Sequence, residues 1–380
     1  MAINPDRKII TYENIALFQS DSPAHSNTSN SFNNVSFLPL VQGVSFGIDI
    51  PRTNVGALGS KDLIDQSNRN APDVLVSINT LESFGGLLSS LFNGSSVRDD
   101  LNIDRNFYAT IGSERGLDVS GENLGDSDTI AFGNCFLTDV SMSQSINGFI
   151  DSTYSFVGSN LQAQRLQNAP STDIFTGHAP SIDLTGQQIQ DKQVNLFGVD
   201  HYYSNSSQQI IPSYSTHVSI SGSSSSGGFL IQSDSIQSFD LNLPINRKSV
   251  YSLGKKYPVA RKALFPIVGT FNFANRASSF EISGVRANLK DFLNSEESYT
   301  LNISGQNYGK QAFNIQLNEA RFQSQDNSLS ISQELNSELS FNFDINKCEV
   351  QLPSISGSLL LENSSHLLLS DGNFVLLEQG

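Results

Sequence analysis

Ser45-Phe46-Gly47-Ile48-Asp49-Ile50-Pro51 and, in the second half of the chain, Ser238-Phe239-Asp240-Leu241-Asn242-Leu243-Pro244 are two heptapeptides of the same build. In each, large apolar residues alternate with small or polar ones, the period of a strand that buries one face and wets the other. Phe46, Ile48 and Ile50, with Phe239, Leu241 and Leu243, are therefore expected in the core. Ser45, Gly47 and Asp49, with Ser238, Asp240 and Asn242, are expected to meet water. The two stretches also match each other, and each is followed by a Leu-Gly pair (Leu58-Gly59, Leu253-Gly254) and then a proline, Pro72 or Pro266. Two further blocks recur in the same order: Val119–Gly125 against Ile303–Gly309, and Ser143–Phe156 against Ser330–Phe341. The offsets drift only between 184 and 195 residues, as tandem duplication with small loop insertions produces.

With 380 residues the chain can hold two such units, each with its own core. The expected division is residues 1–165 as a first β domain, 166–188 as a linker marked by Pro170 and Pro180, 189–350 as a second β domain, and 351–380 as a Leu-rich extension. Charged residues make up only 16% of the chain, and Ser, Asn, Gln, Thr and Gly fill the polar places between short Val, Ile, Leu and Phe runs, which indicates a mainly β fold. Strands are expected at 74–78, 131–145, 153–157, 216–220, 267–273, 300–303, 312–317, 329–331 and 339–343. Helices are expected only at Leu81–Phe92 and Val285–Leu293, one per half. Ser221–Gly228, Ser-Gly-Ser-Ser-Ser-Ser-Gly-Gly, reads as a loop between strands. The tail repeats with a period of eight (Leu359–Leu361, Leu367–Leu369, Val375–Leu377), a β-meander too small to stand alone.

A formal net charge of −15 disfavours adhesion to nucleic acid or to an anionic membrane, because phosphate is gripped by Lys and Arg. No apolar run approaches the ~18 residues of a membrane span, and the first residues lack a signal-peptide core, so synthesis and folding in the cytoplasm are expected. Cys135 and Cys348 occupy non-equivalent places and suggest two reduced thiols rather than a disulfide framework. The five histidines show no metal-ligand spacing, no nucleophile elbow is present, and Gly305–Lys310 falls one residue short of a phosphate loop. The acidic series Asp118, Glu122, Asp126 and Asp128 lacks the order of a calcium loop. Neither catalysis nor a cofactor is expected. One local anomaly stands out in an acidic chain: Arg247, Lys248, Lys255, Lys256, Arg261 and Lys262 fall within 16 residues. They suit either an acidic surface on another copy of the chain or an ordinary solvated loop.

With its duplicated Ser-Phe-(Gly/Asp)-(Ile/Leu)-(Asp/Asn)-(Ile/Leu)-Pro block, the Leu-Gly loop after it, and serine-rich strands leading to Tyr154 and Phe341, the chain resembles the tail tube proteins of tailed bacteriophages over roughly residues 44–343. The resemblance implies tandem β-sandwiches, each flanked by a helix, with long hairpins that join those of neighbours into a barrel around a channel. It further implies a homotrimer forming a pseudo-hexameric ring, stacked with other rings and joined to other tail proteins in the virion. Such a tube is a passive conduit for DNA ejection. On that reading Ser45, Asp49, Ser238, Asp240 and Asn242 line the lumen, and the basic loop from Arg247 to Lys262 meets the next ring. The rival expectations are another virion or surface β-sandwich protein with an adhesion or receptor-binding role, for which His201-Tyr202-Tyr203 is the aromatic candidate, and a glycan hydrolase, which needs two converging carboxylates.

Overall fold

A computed structural model describes residues 15–20, 35–49, 52–55, 65–68, 73–83, 86–92, 97–111, 128–158, 160–165, 172–173, 210–222, 229–231, 236–251, 253, 258, 260–276, 281–282, 285–286, 298–307, 310–328, 336–352, 366–368 and 374–376. The first half holds β1 (Ile15–Ser20), β2 (Val35–Phe37), β3 (Val41–Asp49), β4 (Arg52–Val55), β5 (Asp65–Asn68), β6 (Asp73–Leu81), helices α1 (Leu87–Leu91) and α2 (Val97–Asp100), β7 (Arg105–Ile111), β8 (Asp128–Ser145), β9 (Asp151–Gly158), β10 (Asn160–Arg165) and β11 (Thr172–Asp173). The second holds β12 (Thr216–Gly222), β13 (Phe229–Ile231), β14 (Ile236–Pro244), β15 (Arg247–Val250), β16 (Ala260–Ala263), β17 (Val268–Arg276), β18 (Glu281–Ile282), β19 (Val285–Arg286), β20 (Tyr299–Asn307), β21 (Lys310–Ser328), β22 (Asn336–Asp344), β23 (Cys348–Gln351), β24 (His366–Leu368) and β25 (Phe374–Leu376). The fold is mainly β, and every strand pairing among the described residues is antiparallel.

One long sheet crosses both halves in the order β3-β6-β9-β8-β14-β17-β22-β21. The order of its first four strands is that of its last four. β3, β4, β5 and β6 each begin and end 195 residues before β14, β15, β16 and β17. Through the ladders, Phe156 on β9 corresponds to Phe341 on β22, 185 residues on, and β8 and β21 carry bulges at the same offset, at Leu137/Asp139 and Phe322/Ser324. The sequence match between Ser45–Pro51 and Ser238–Pro244 runs at an offset of 193, so it is one pleat repeat out of step with the ladders. Val44, not Phe46, is the counterpart of Phe239, because each faces the counterpart residue of the next strand, Ile78 and Phe273.

Two smaller sheets, β2-β1-β7-β8-β10-β11 and β13-β12-β20-β21-β23, and the two-stranded pairs β4-β5, β15-β16, β18-β19 and β24-β25 make up the rest of the described strands. β8 and β21 belong to both layers. Each leaves its small sheet and enters the long one just past a non-glycine residue in the left-handed region, Asn134 (φ 54°) and Glu319 (φ 55°), again 185 apart. The layers meet through aromatic contacts: Phe107 of β7 on Phe156 (centroids 4.7 Å apart) and Tyr299 of β20 edge-on to Phe341 (5.4 Å). Buried Leu87, Leu88 and Leu91 of α1 join this core.

Three expectations need correction. Phe239, Leu241 and Leu243 are buried, but Phe46 and Ile48 are 48% and 42% exposed, because β14 lies between two strands and β3 pairs only with β6 among the described residues. The helix expected at Leu81–Phe92 is confined to Leu87–Leu91, since the strand β6 runs through Leu81. Val285 and Arg286, expected to open a helix, form a strand with Glu281 and Ile282, and residues 287–293 lie outside the described residues. So do most of 166–188, 329–331, and the first of the three C-terminal leucine runs, while β24 and β25 pair as a hairpin.

Candidate functional site: the polar face of the long sheet

Strand alternation gives the long sheet one apolar face, covered by the small sheets, and one polar face. Ladder pairings place the polar side chains in rows across both halves. One row runs Asp151, Ser143, Asp240, Asn272, Ser340, Ser324; the next runs Asn79, Thr153, Ser141, Asn242, Thr270, Asn342, Arg321. Hydrogen bonds stitch the rows across strands: Thr153 Oγ1 donates to Asn79 Oδ1 at 2.6 Å, and Ser340 Oγ donates to Asn272 Oδ1 at 2.6 Å. Ser45, Asp49 and Asp240 are exposed, and Ser238 and Asn242 are half-buried on this face. Partial burial raises the Asp240 carboxyl above its usual range despite its hydrogen bond with Asn272, and burial does the same to Asp139. The face is thus a field of neutral hydroxyls and amides with interspersed carboxylates and, at the β21 end, the cation of Arg321.

The basic loop divides. Its strands, β15 and β16, form a hairpin that crosses from the second half onto the first. Arg247 donates through Nε to the Leu137 carbonyl at 2.6 Å, through its other nitrogens to the carbonyls of Arg261 and Leu101, and lies over the Phe136 ring at 5.2 Å. Burial, then the nearby Arg261 charge, pulls its guanidinium down to about 10, still charged at neutral pH. Arg261 is buried and pairs with Asp73 of β6 at 2.5 Å, with the Gly158 carbonyl also in reach. These two arginines hold the halves together within the chain, which leaves Lys248 and Lys262, exposed and directly opposite each other, as outward cations of the hairpin. Lys255 and Lys256 lie outside the described residues. Arg261→Met is expected to lower stability by about 2 kcal/mol, less than for a fully buried pair because Asp73 is 35% exposed; a urea midpoint unchanged from the parent would refute this.

A buried polar cluster escaped the sequence reading. Glu82, just past β6, is 1% exposed, and its Oε1 accepts from the Tyr154 hydroxyl at 2.5 Å. Its backbone holds the chain at Ile150 and Ile211, so the second-half segment at Ile210–Pro212 is bound to the first half there. Burial pushes the Glu82 carboxyl up to about 7, against the opposing hydrogen bond from Tyr154. The available signal was a lone acid among apolar and hydroxyl residues between Val74 and Ser96.

Among the described residues no three His, Cys, Asp or Glu side chains gather as a metal set. A pocket at the end of the β8–β14 contact, lined by Gln144, Ile146, Tyr214, Thr216, Ile236 and Phe239 among others, contains no carboxylate or histidine. Cys135 is buried and Cys348 partly so, both as free thiols, and burial raises the Cys348 thiol to about 12. His201-Tyr202-Tyr203 lies outside the described residues. No helix among the described residues is long and apolar enough to cross a membrane.

No protein-family model and no curated protein matches the chain. Among solved structures it is similar to a chain from the tail of an empty GTA particle, determined by helical refinement in C6 symmetry, with 14% identity over 36% of this chain and 94% of that one and a TM-score of 0.26. It is also similar to a chain of the cap that terminates the tube of the anti-feeding prophage, with 13% identity over 38% of this chain and 93% of that one and a TM-score of 0.26.

Proposed function

We propose that this chain is a structural protein of a bacteriophage tail, a tandem-repeat tube subunit whose rings stack into a passive conduit for DNA. The observation that carries the reading is the long sheet: four strands in one order, then four in the same order, ending on β3 at one side and on residues 324–328 of β21 at the other, each with a single strand neighbour there among the described residues. Unlike edges of this kind make a head-to-tail contact, which closes into a ring when the rotation per copy divides a full turn. Closure also removes the unpaired edges that a strand-rich protein otherwise has to protect. With three copies, eight strands each, ~4.8 Å between strands and a tilt of ~40°, the closed barrel has a backbone diameter of ~48 Å. The polar face then lines the channel. Its hydroxyls, amides and carboxylates offer a passing duplex few cations to bind, so DNA moves without sequence-independent traps. Lys248 and Lys262 are left to meet an acidic surface of the next ring. The partners are other copies of this chain and other tail proteins, the setting is the virion, and assembly follows synthesis in the host cytoplasm.

Negative-stain imaging with mass measurement tests this directly: rings of three chains, or stacks in multiples of three, are expected. A protein that stays monomeric under all assembly conditions, or a ring of six chains, would overturn it. Asp240→Lys is expected to leave rings intact and to slow DNA passage at low salt, with recovery as salt is raised. Passage at the parent rate would show that this face is not the channel wall.

A further inference from the structure

The seam inside the chain is a template for the seam between copies. Within the chain, β8 of the first half lies against β14 of the second, with Asp139 opposite Pro244 and Ser143 opposite Asp240. Leu241 and Leu243 are 5% and 6% exposed there. Their counterparts 195 residues earlier are Phe46 and Ile48, at the same places on β3, of the same apolar class, yet 48% and 42% exposed. The difference is the second neighbouring strand: β14 has β8 on its far side, and β3 has none among the described residues. The strand that corresponds to β8 is β21, whose residues 321–328 pair on one side with β22.

We propose that β3 of one copy pairs with residues 321–328 of β21 in the next copy, in the register of the internal seam; this rests on the ring reading above. Shifting Pro244 back by 195 and Asp139 forward by 185 sets Asp49 opposite Ser324. The same shifts set Ser45 opposite Ser328 and Phe46 opposite Asn327. The alternative set by matching Ser45–Pro51 to Ser238–Pro244 slides the strands by two residues and sets Asp49 opposite Asp326. A β3-to-β3 pairing would instead close a twofold dimer and leave β21 open, whereas the internal seam joins unlike strands. The hairpin strap transfers as well. Arg247 crosses the internal seam to the Leu137 carbonyl, and Arg52, 195 residues earlier and exposed, stands at the same place on β4. The counterpart of Leu137 is Phe322, so Arg52 of one copy donates to the Phe322 carbonyl of the next.

Cysteine pairs read this register, because directly opposite strand positions fall within disulfide reach and positions two residues off do not. In full-length protein with Cys348→Ser, Asp49→Cys with Ser324→Cys is expected to give covalent oligomers on mild oxidation under assembly conditions, and Asp49→Cys with Asp326→Cys to give few. Each single cysteine serves as control. Arg52→Ala is expected to leave the melting of the unassembled chain unchanged while rings fall apart at higher protein concentration than the parent's. Rings on the grid with crosslinking only in the 49/326 pair, or in neither pair, would overturn the register while leaving the ring reading standing. Absence of both rings and crosslinks would overturn the two together.

Discussion

At pH 8, protein carrying Glu82→Gln is expected to unfold at a higher temperature than the parent, and at pH 5 the two are expected to melt nearly together. The folded carboxyl titrates at about 7, against an ordinary value of 4.5, because burial penalises its charged form. Between those values the folded chain holds a proton that the unfolded chain has lost, so its stability falls as pH rises. The contribution is fully present below about 4.5 and is gone once pH has passed through 7. The gap is worth on the order of 3 kcal/mol. Glutamine keeps an acceptor for the Tyr154 hydroxyl without the charge. Other carboxylates also titrate in this acidic chain, so the measurement that decides is the difference between variant and parent at each pH. An equal difference at pH 5 and pH 8 would refute the assignment.

Phe341→Ala is expected to cost about 3–5 kcal/mol, the largest single loss in the molecule, read as a drop in the denaturant midpoint. Phe341 is fully buried and joins four strands through ring contacts: Phe273 nearly parallel at 6.0 Å, Tyr299 edge-on at 5.4 Å and Phe322 edge-on at 5.6 Å. Two of those partners lie in the long sheet and Tyr299 in the small one, so the cavity opens where the layers meet. Phe46→Ala is the internal comparison: with its side chain 48% exposed and one close ring contact, on Phe132 at 5.1 Å, it should cost the isolated chain much less. Equal losses for the two would mean that β3 is already covered in the isolated protein.

Alternation carried the sequence reading where a strand has neighbours on both sides and misled it where one is missing. Phe239, Leu241 and Leu243 show the same pattern as Phe46 and Ile48, and nothing in either heptapeptide says which strand ends up at a sheet edge. Ser45–Pro51 and Ser238–Pro244 fall on strands at like places in the long sheet, but their similar letters Ser-Phe and Leu-Pro match two residues away from the ladder register. The helices expected from Leu81 and Val285 give way at those residues to strand pairing, of Leu81 with Asp151 across the sheet and of Val285 with Ile282. The basic cluster was legible as charge. That Arg247 and Arg261 are consumed within the chain was not, since the groups they meet are mostly backbone carbonyls, of Leu137, Leu101 and Gly158, which carry no mark in a sequence.

The corners at Asn134 and Glu319 have a mechanical consequence. At each, a single covalent strand passes from the small sheet into the long one, so the two layers are fastened by backbone as well as by packed side chains. A pull applied along β8 or β21 in one layer is delivered to the other through peptide bonds, and the layers have no plane along which they can slide apart. A residue in the left-handed region stands at the bend of each corner. Strain entering one half of the molecule is therefore handed through β8 to β14 and on to the other half as a load shared by the whole sheet.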